Sequence, residues 1–229
     1  MTISYKLERH VARKLHVSRI FTPLAGINLE LLDNEFLSIS GPNGSGKTSL
    51  LKVMSGLMRP FNGKVYQNVT NFGFVSQNQI LLPELSIKEN ILLPFYLSKE
   101  EHVNGWNAFH NVNLEDLESK VELYVRRFKI EHLLEKHPET CSVGQQQRAL
   151  LARALILDCD IIFADEPEQN LDSDGRIDLF NSFREVHKQF NKTIVLVTQE
   201  HPDVLKTFVS RSIKISERSL EEIFKKKNQ

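Results

Sequence analysis

Two cysteines among 229 residues, Cys141 and Cys159, are too few for a disulfide framework or a cysteine-based zinc site. That usage suggests a reducing cytoplasm. An excess of charge of either sign is also missing. Lys and Arg number 29, Asp and Glu number 29, and the formal net charge is zero. Nothing global in the chain therefore attracts nucleic acid, and none is expected as a partner. Long apolar runs are absent as well. The longest, Ile91 to Leu97, contains Pro94, whereas a membrane-spanning helix needs about 20 apolar residues. If a bilayer matters to the function, a partner supplies the spanning segments. Met1 to Lys6 lacks the apolar block of a secretory signal. Internal repeats and low-complexity tracts are not found. What remains is an ordinary globular composition, 41% hydrophobic and 25% charged, with length enough for one or two domains.

Strand and helix patterns alternate along the chain. The first ~40 residues read as short strands. Ile27 to Leu32 alternates for part of its length, turns at Asp33-Asn34 and gives way to Phe36–Ser40. A glycine-rich loop, Gly41 to Gly46, precedes a helix with Leu50, Leu51, Met54 and Leu57 on one face. That helix should stop near Gly56 or before Pro60. Lys64 to Val75 again reads as strands. Residues 86–140 change character: they hold helical stretches such as Val121 to Leu134, a polar stretch from His102 to Asn113, and no evident central strand. A helix (Gln145 to Leu157), an apolar strand (Ile161 to Ala164), a helix (Asp174 to Phe190) and another apolar strand (Thr193 to Val197) follow. Helices alternating with continuously apolar strands imply a parallel sheet covered on both faces.

Gly41-Pro42-Asn43-Gly44-Ser45-Gly46-Lys47-Thr48 fits G-x-x-x-x-G-K-[ST], with a strand before it and a helix after it. Such a loop wraps its amide hydrogens around phosphates, and the helix amino terminus adds partial positive charge. Lys47 is placed to reach the β- and γ-phosphates, Thr48 to bind Mg²⁺, and Ser49 to follow in the first turn. A metal carboxylate is needed beside it. Ile161-Ile162-Phe163-Ala164-Asp165-Glu166 supplies one at the carboxyl end of a buried strand, where ligands sit in open α/β sheets. Asp165 suits Mg²⁺ and Glu166 suits the general base.

With these motifs the chain resembles the ATP-binding subunit of ABC transporters over nearly its whole length. Gln77 stands at the Q-loop position, implying contact with metal and nucleotide. Ser142-Val143-Gly144-Gln145-Gln146-Gln147-Arg148 resembles the ABC signature, and Asn170-Leu171-Asp172 the D-loop. Leu81 to Ile91, with Ala164-Asp165-Glu166-Pro167, is similar to the lipoprotein-release, macrolide-export and cell-division group. The resemblance implies an α/β fold: a RecA-like P-loop core with an N-terminal antiparallel β-subdomain and an inserted α-helical subdomain. Within a single ABC domain over 1–229, residues 1–85 and 141–229 form the core with its β-subdomain, and 86–140 the helical subdomain. It further implies MgATP as ligand, a homodimer or heterodimer of ATPase subunits, integral membrane permease partners, and a peripheral place on the cytoplasmic face of the plasma membrane. Ser142, Gly144, Gln145 and Asp172 would then act at the seam between subunits. A groove lined by Ile87, Ile91, Leu92, Phe95 and Tyr96 could receive the permease, although core is the commoner fate of such residues. A soluble, non-transport ABC ATPase and a slowly hydrolysing nucleotide-gated switch are the alternatives.

Departures from the family pattern accompany the resemblance. Val143 replaces a signature glycine and adds a β-carbon beside the expected phosphate. Glu168 and Gln169 replace the small residues usual before the D-loop. Thr198-Gln199-Glu200 stands where the family has Thr-His-Asp, with His201 as an alternative switch residue. Gln199 donates hydrogen bonds but carries no positive charge. The adenine-stacking aromatic is unassigned among Tyr5, His16 and Phe21. If the missing cation slows hydrolysis, Gln199→His raises ATP turnover in a steady-state assay. An unchanged or lower rate counts against a role for the missing charge.

Overall fold

The computed structural model describes residues 3–6, 27–60, 64–66, 72–76, 81–99, 114–156, 158–216 and 219–226. In chain order these form β1 (Ile3–Lys6), β2 (Asn28–Leu31), β3 (Phe36–Ser40), α1 (Lys47–Met54), β4 (Lys64–Tyr66) and β5 (Phe72–Val75). Next come α2 (Ile87–Lys99), α3 (Leu114–Arg127), α4 (Val143–Leu155), β6 (Ile161–Asp165) and α5 (Ser173–Phe190). β7 (Thr193–Val197), α6 (Pro202–Leu205), β8 (Arg211–Ser216) and β9 (Ser219–Lys225) complete the order. A six-stranded sheet runs β5-β6-β7-β3-β8-β9. All its neighbours are parallel except β8 and β9. A separate antiparallel sheet has the order β2-β1-β4. The stretch from Ile27 to Ser40 thus crosses from one sheet to the other at the Asp33-Asn34 turn, where Asn34 takes a φ of 52°.

Why the central strands are apolar at every position follows from where their side chains go. Phe36, Ile162, Ala164, Ile194 and Leu196 join the cluster that holds Leu150, Leu151 and Leu155 of α4 and Phe180 and Phe183 of α5. Their alternates Leu37, Ile39, Ile161, Phe163, Val195 and Val197 join Leu50, Leu51 and Met54 of α1 and Leu29 and Leu31 of β2. Two buried faces leave no solvent side for a polar residue. A parallel α/β sheet covered on both sides is the architecture expected from the sequence.

Several boundaries differ from the sequence reading. Leu57 lies beyond α1 and is exposed, because Ser55 ends the helix and Gly56 turns away at φ 80°. The helix expected over Val121 to Leu134 begins at Leu114 and ends at Arg127, since Lys129 adopts a left-handed conformation with φ 55°. Short 3-10 turns at Glu131–Leu133 and Pro138–Thr140 lead on to α4. α4 starts at Val143, earlier than Gln145, because Ser142 and Gln145 form a reciprocal cap. Two strands, β8 and β9, follow the last strand read from the sequence. Among the groove candidates, Ile87, Ile91, Leu92 and Phe95 are core, and Tyr96 is exposed. A second capping box, Ser86 with Glu89, starts α2. Buried Asn90 then bonds the backbone of Leu82, Leu85 and Ser86, holding this entry segment in place.

Gly73 in β5 shows how tightly the edge strand approaches α4. A β-carbon there would lie 2.9 Å from the Ala154 carbonyl oxygen and 3.1 Å from the Cys159 sulfur. Gly73→Val should lower stability by about 1–3 kcal/mol, the usual cost of overpacking, read from the urea midpoint at unchanged m.

Candidate nucleotide site

Three loops meet at one end of the sheet because β7 lies between β6 and β3. The glycine-rich loop leaves β3, Glu166 leaves β6 and Gln199 leaves β7. Backbone bonds bind these exits together: Glu166 N donates to Val197 O at 2.8 Å, and Thr198 N to Ile39 O at 3.1 Å. The carboxyl ends of parallel strands are the usual place for a ligand in such sheets.

Gly41, Gly44 and Gly46 take φ values of 152°, 76° and 97°, so the loop depends on glycine where it curls. α1 begins directly after it, and its N-cap Gly46 offers no side-chain cap to the first-turn amides. Those amides are free for an anion. Ser45 Oγ is buried and has no hydrogen-bond partner among the described residues. Lys47 is buried. Its Nζ donates to Gly41 O at 3.0 Å and Pro42 O at 3.2 Å and sits 3.3 Å from Glu166 Oε1. Orphaned amides, an orphaned hydroxyl and an inward cation are the donor set that a polyphosphate satisfies. Pro42 and Asn43 are exposed on the loop, and Ser49 is half-buried in the first turn of α1.

Thr48 Oγ1 donates to Asp165 Oδ1 at 3.1 Å. Burial pushes the Asp165 carboxyl above its ordinary range; the Thr48 hydroxyl opposes this shift, and the charge of Glu166 adds to it. Glu166 sits in the left-handed region with φ 47°, a strained conformation for a non-glycine residue and one that collects at functional sites. Its Oε2 accepts from Gln199 Nε2 and from Gln169 Nε2, both at 2.7 Å. Thr198 Oγ1 donates to Glu168 Oε1, which also accepts from Gln199 N at 3.2 Å.

The signature segment lies on α4, which packs against α2, α3, α5 and β5. Ser142 Oγ accepts from Gln145 N at 3.3 Å, and Gln145 Oε1 accepts from Ser142 N at 2.9 Å. A β-carbon on Gly144 would meet nothing, and Val143 is exposed, so this helix start faces open space. Asp172 caps α5 through Gly175 N at 2.8 Å. His201 is turned outward with 70% of its side chain exposed, and caps α6. It is not beside Glu166; Gln199 is.

The sequence profile described as "ABC transporter" matches residues 24–169. The chain belongs to the ABC transporter family. It is 35% identical over 210 residues to the bacitracin export ATP-binding protein BceA of Halalkalibacterium halodurans, covering 85% of this chain and 78% of that one. Identity is 32% over 219 residues to the lipoprotein-releasing system ATP-binding protein LolD of Desulfotalea psychrophila, covering 89% and 92%. Among solved structures, the dimeric post-hydrolysis state of the ATP-binding cassette MJ0796, bound to ADP and Pi, superposes with a TM-score of 0.76. That match has 26% identity and covers all of both chains. This chain is therefore an ATP-binding subunit of ABC type and an ATPase.

For this ABC ATPase the structure brings together Lys47, Thr48, Asp165, Glu166 and Gln199. It places Ser142, Gly144 and Gln145 on a different helix, and Asp172 at the start of α5. Gln77, His16 and Phe21 lie outside the described residues, as does the side chain of Tyr5. Gln169 was visible in the sequence only as an unusual residue before the D-loop. Its contact with Glu166 depends on a turn that no local pattern announces. Lys47→Ala should weaken ATP binding by about tenfold or more, the loss of a charge-assisted contact, as read by isothermal titration.

Proposed function

We propose that this subunit hydrolyses MgATP at paired sites in a dimer and passes the resulting motion to a membrane permease. The contact set around Glu166, at the mouth of the phosphate loop, carries the reading. Thr48 and Asp165 fit Mg²⁺: they already touch, and desolvation leaves Asp165 in want of a cation. Among the described residues no group of three or more acidic, His or Cys side chains could complete a protein cage. Thr48 and Asp165 would hold the ion through oxygen donors, the donor type that suits Mg²⁺. When bound, Mg²⁺ neutralises charge on the phosphates. Lys47 exchanges its loop carbonyls for phosphate oxygens and stabilises the transferring group. Glu166 takes a proton from water as its oxygen bonds to the γ-phosphorus. The bond to the β-bridging oxygen breaks, giving ADP and phosphate.

Support for the dimer comes from the open amino terminus of α4 and the dimeric MJ0796 match. Ser142 and Gly144 of one subunit would face the γ-phosphate held by the other. Gln77 would line the same site, and Asp172 would lie at the seam. Residues 1–85 and 141–229 then serve as the core with its β-subdomain, and 86–140 as the permease-facing subdomain. The relatives named for bacitracin export and lipoprotein release support a membrane partner and a use in export or extraction. No described helix is long and apolar enough to cross a membrane. Tyr96 and Leu97 on α2 are exposed apolar residues, and we assign the permease contact, at the cytoplasmic membrane face, to this part of the helix. Gln199, neutral and bonded to the base, favours slow hydrolysis as a second reading.

Glu166→Gln should retain ATP binding and cut turnover by roughly 10²-fold or more, the usual contribution of a general base. ATP-dependent dimer should accumulate in size-exclusion chromatography. Preserved turnover removes Glu166 from the base role.

A further inference from the structure

Glu166 is held from more sides than base catalysis by a lone carboxylate requires. Lys47 lies on Oε1. On Oε2 both lone pairs are taken, one by Gln169 and one by Gln199. Gln169 reaches back because the chain after β6 coils tightly. Gln169 N donates to Glu166 O at 3.2 Å, Leu171 N donates to Glu168 O at 3.2 Å, and Asn170 takes a φ of 67°.

The residue between them faces the other way. Glu168 is 7% exposed, and its Oε2 has no hydrogen-bond partner among the described residues. Leaving a buried polar atom unpaired is costly. Its other oxygen receives the Thr198 hydroxyl and the Gln199 backbone amide. Thr198 Oγ1 accepts from Glu200 N at 3.0 Å, and Glu200 reaches Arg176 of α5 at 3.3 Å. Glu168 thus fixes the piece of chain from which the Gln199 side chain departs. Positions 168, 169 and 199, at each of which this chain departs from its family's pattern, belong to one connected set of hydrogen bonds around Glu166.

We infer that Gln169 and Glu168 are positioning residues of this ATPase: Gln169 orients the Glu166 carboxylate directly, and Glu168 does so through Gln199. The inference rests on the base role of Glu166. Two amides on one oxygen fix the plane of the carboxylate and leave Oε1, the oxygen beside Lys47, to receive the proton of water. Neutral donors at 169 and 199 share that task in this chain.

The test is steady-state ATPase kinetics on the full chain, with Glu166→Gln in the same series and a thermal melt for each variant. Gln169→Ala lowers kcat by about tenfold or more, the scale of a misplaced reacting group, with KM for ATP unchanged within about twofold. Gln169→Glu conserves size but removes the donor, and it lowers kcat at least as far; a residue that only packs would tolerate it. Glu168→Gln keeps an acceptor for Thr198 and Gln199 and retains most turnover, whereas Glu168→Ala does not. Gln169→Ala with Gln199→Ala falls by less than the product of the single losses, because both donors serve one oxygen. If kcat of Gln169→Ala is unchanged or raised while Glu166→Gln is inactive, the inference is overturned and the base role stands. A change in KM alone also overturns it. Turnover surviving in Glu166→Gln overturns the base role itself.

Discussion

A buried lysine and a buried glutamate, Lys47 and Glu166, face each other across the mouth of the glycine-rich loop, and the arrangement of the site depends on that pair. Their side chains are 5% and 9% exposed. Removing one partner of such a pair typically costs about 3–5 kcal/mol, because the other is left charged in a poor solvent. Asp165 adds a second buried acid next to Glu166 and makes the need for cations sharper. The loop carbonyls of Gly41 and Pro42 complete the shell of Lys47. These contacts are made within the protein, and phosphate oxygens can replace them one for one.

The strand order gives this pair its geometry. With β7 between β6 and β3, the residue after β7 must stand beside the acid after β6 and across from the loop after β3. Burial of both faces fixes the register of these strands, since a slip of one residue would exchange the two apolar sets. Ile161 and Phe163 would move toward α4 and α5, and Ile162 and Ala164 toward α1. The carboxyl ends are thus located by side chains far from the chemistry. The same rigidity gives weight to the hydrogen bonds that Thr198 Oγ1 and Gln199 N donate to Glu168, since they hold the chain from which the Gln199 side chain departs.

The family departures look different once packed. Glu168 and Gln169, read along the chain, are a charge and an amide where small residues are usual. In space Glu168 clasps the end of β7, and Gln169 joins Gln199 on Glu166. His201, a reasonable switch candidate by sequence distance, turns outward to cap α6. Ser142 and Gln145 illustrate the opposite case. A capping box joins two residues three apart, so its geometry is a local property of the chain.

Local chemistry was legible in the chain: the glycine-rich loop between a strand and a helix, the two acids ending an apolar strand, and the two-sided burial implied by continuous apolar runs. Each depends on neighbours within a few residues, where backbone geometry relates sequence spacing directly to distance. Helix ends set by single left-handed residues, such as Lys129, were not legible, because a lysine carries no local signal for that conformation. Nor were β8 and β9 read, or the choice of Gln199 over His201, or the joining of Gln169 and Glu168 to the site. These depend on which strands become neighbours, and that is decided by burying two apolar faces at once, a property of the whole packed chain.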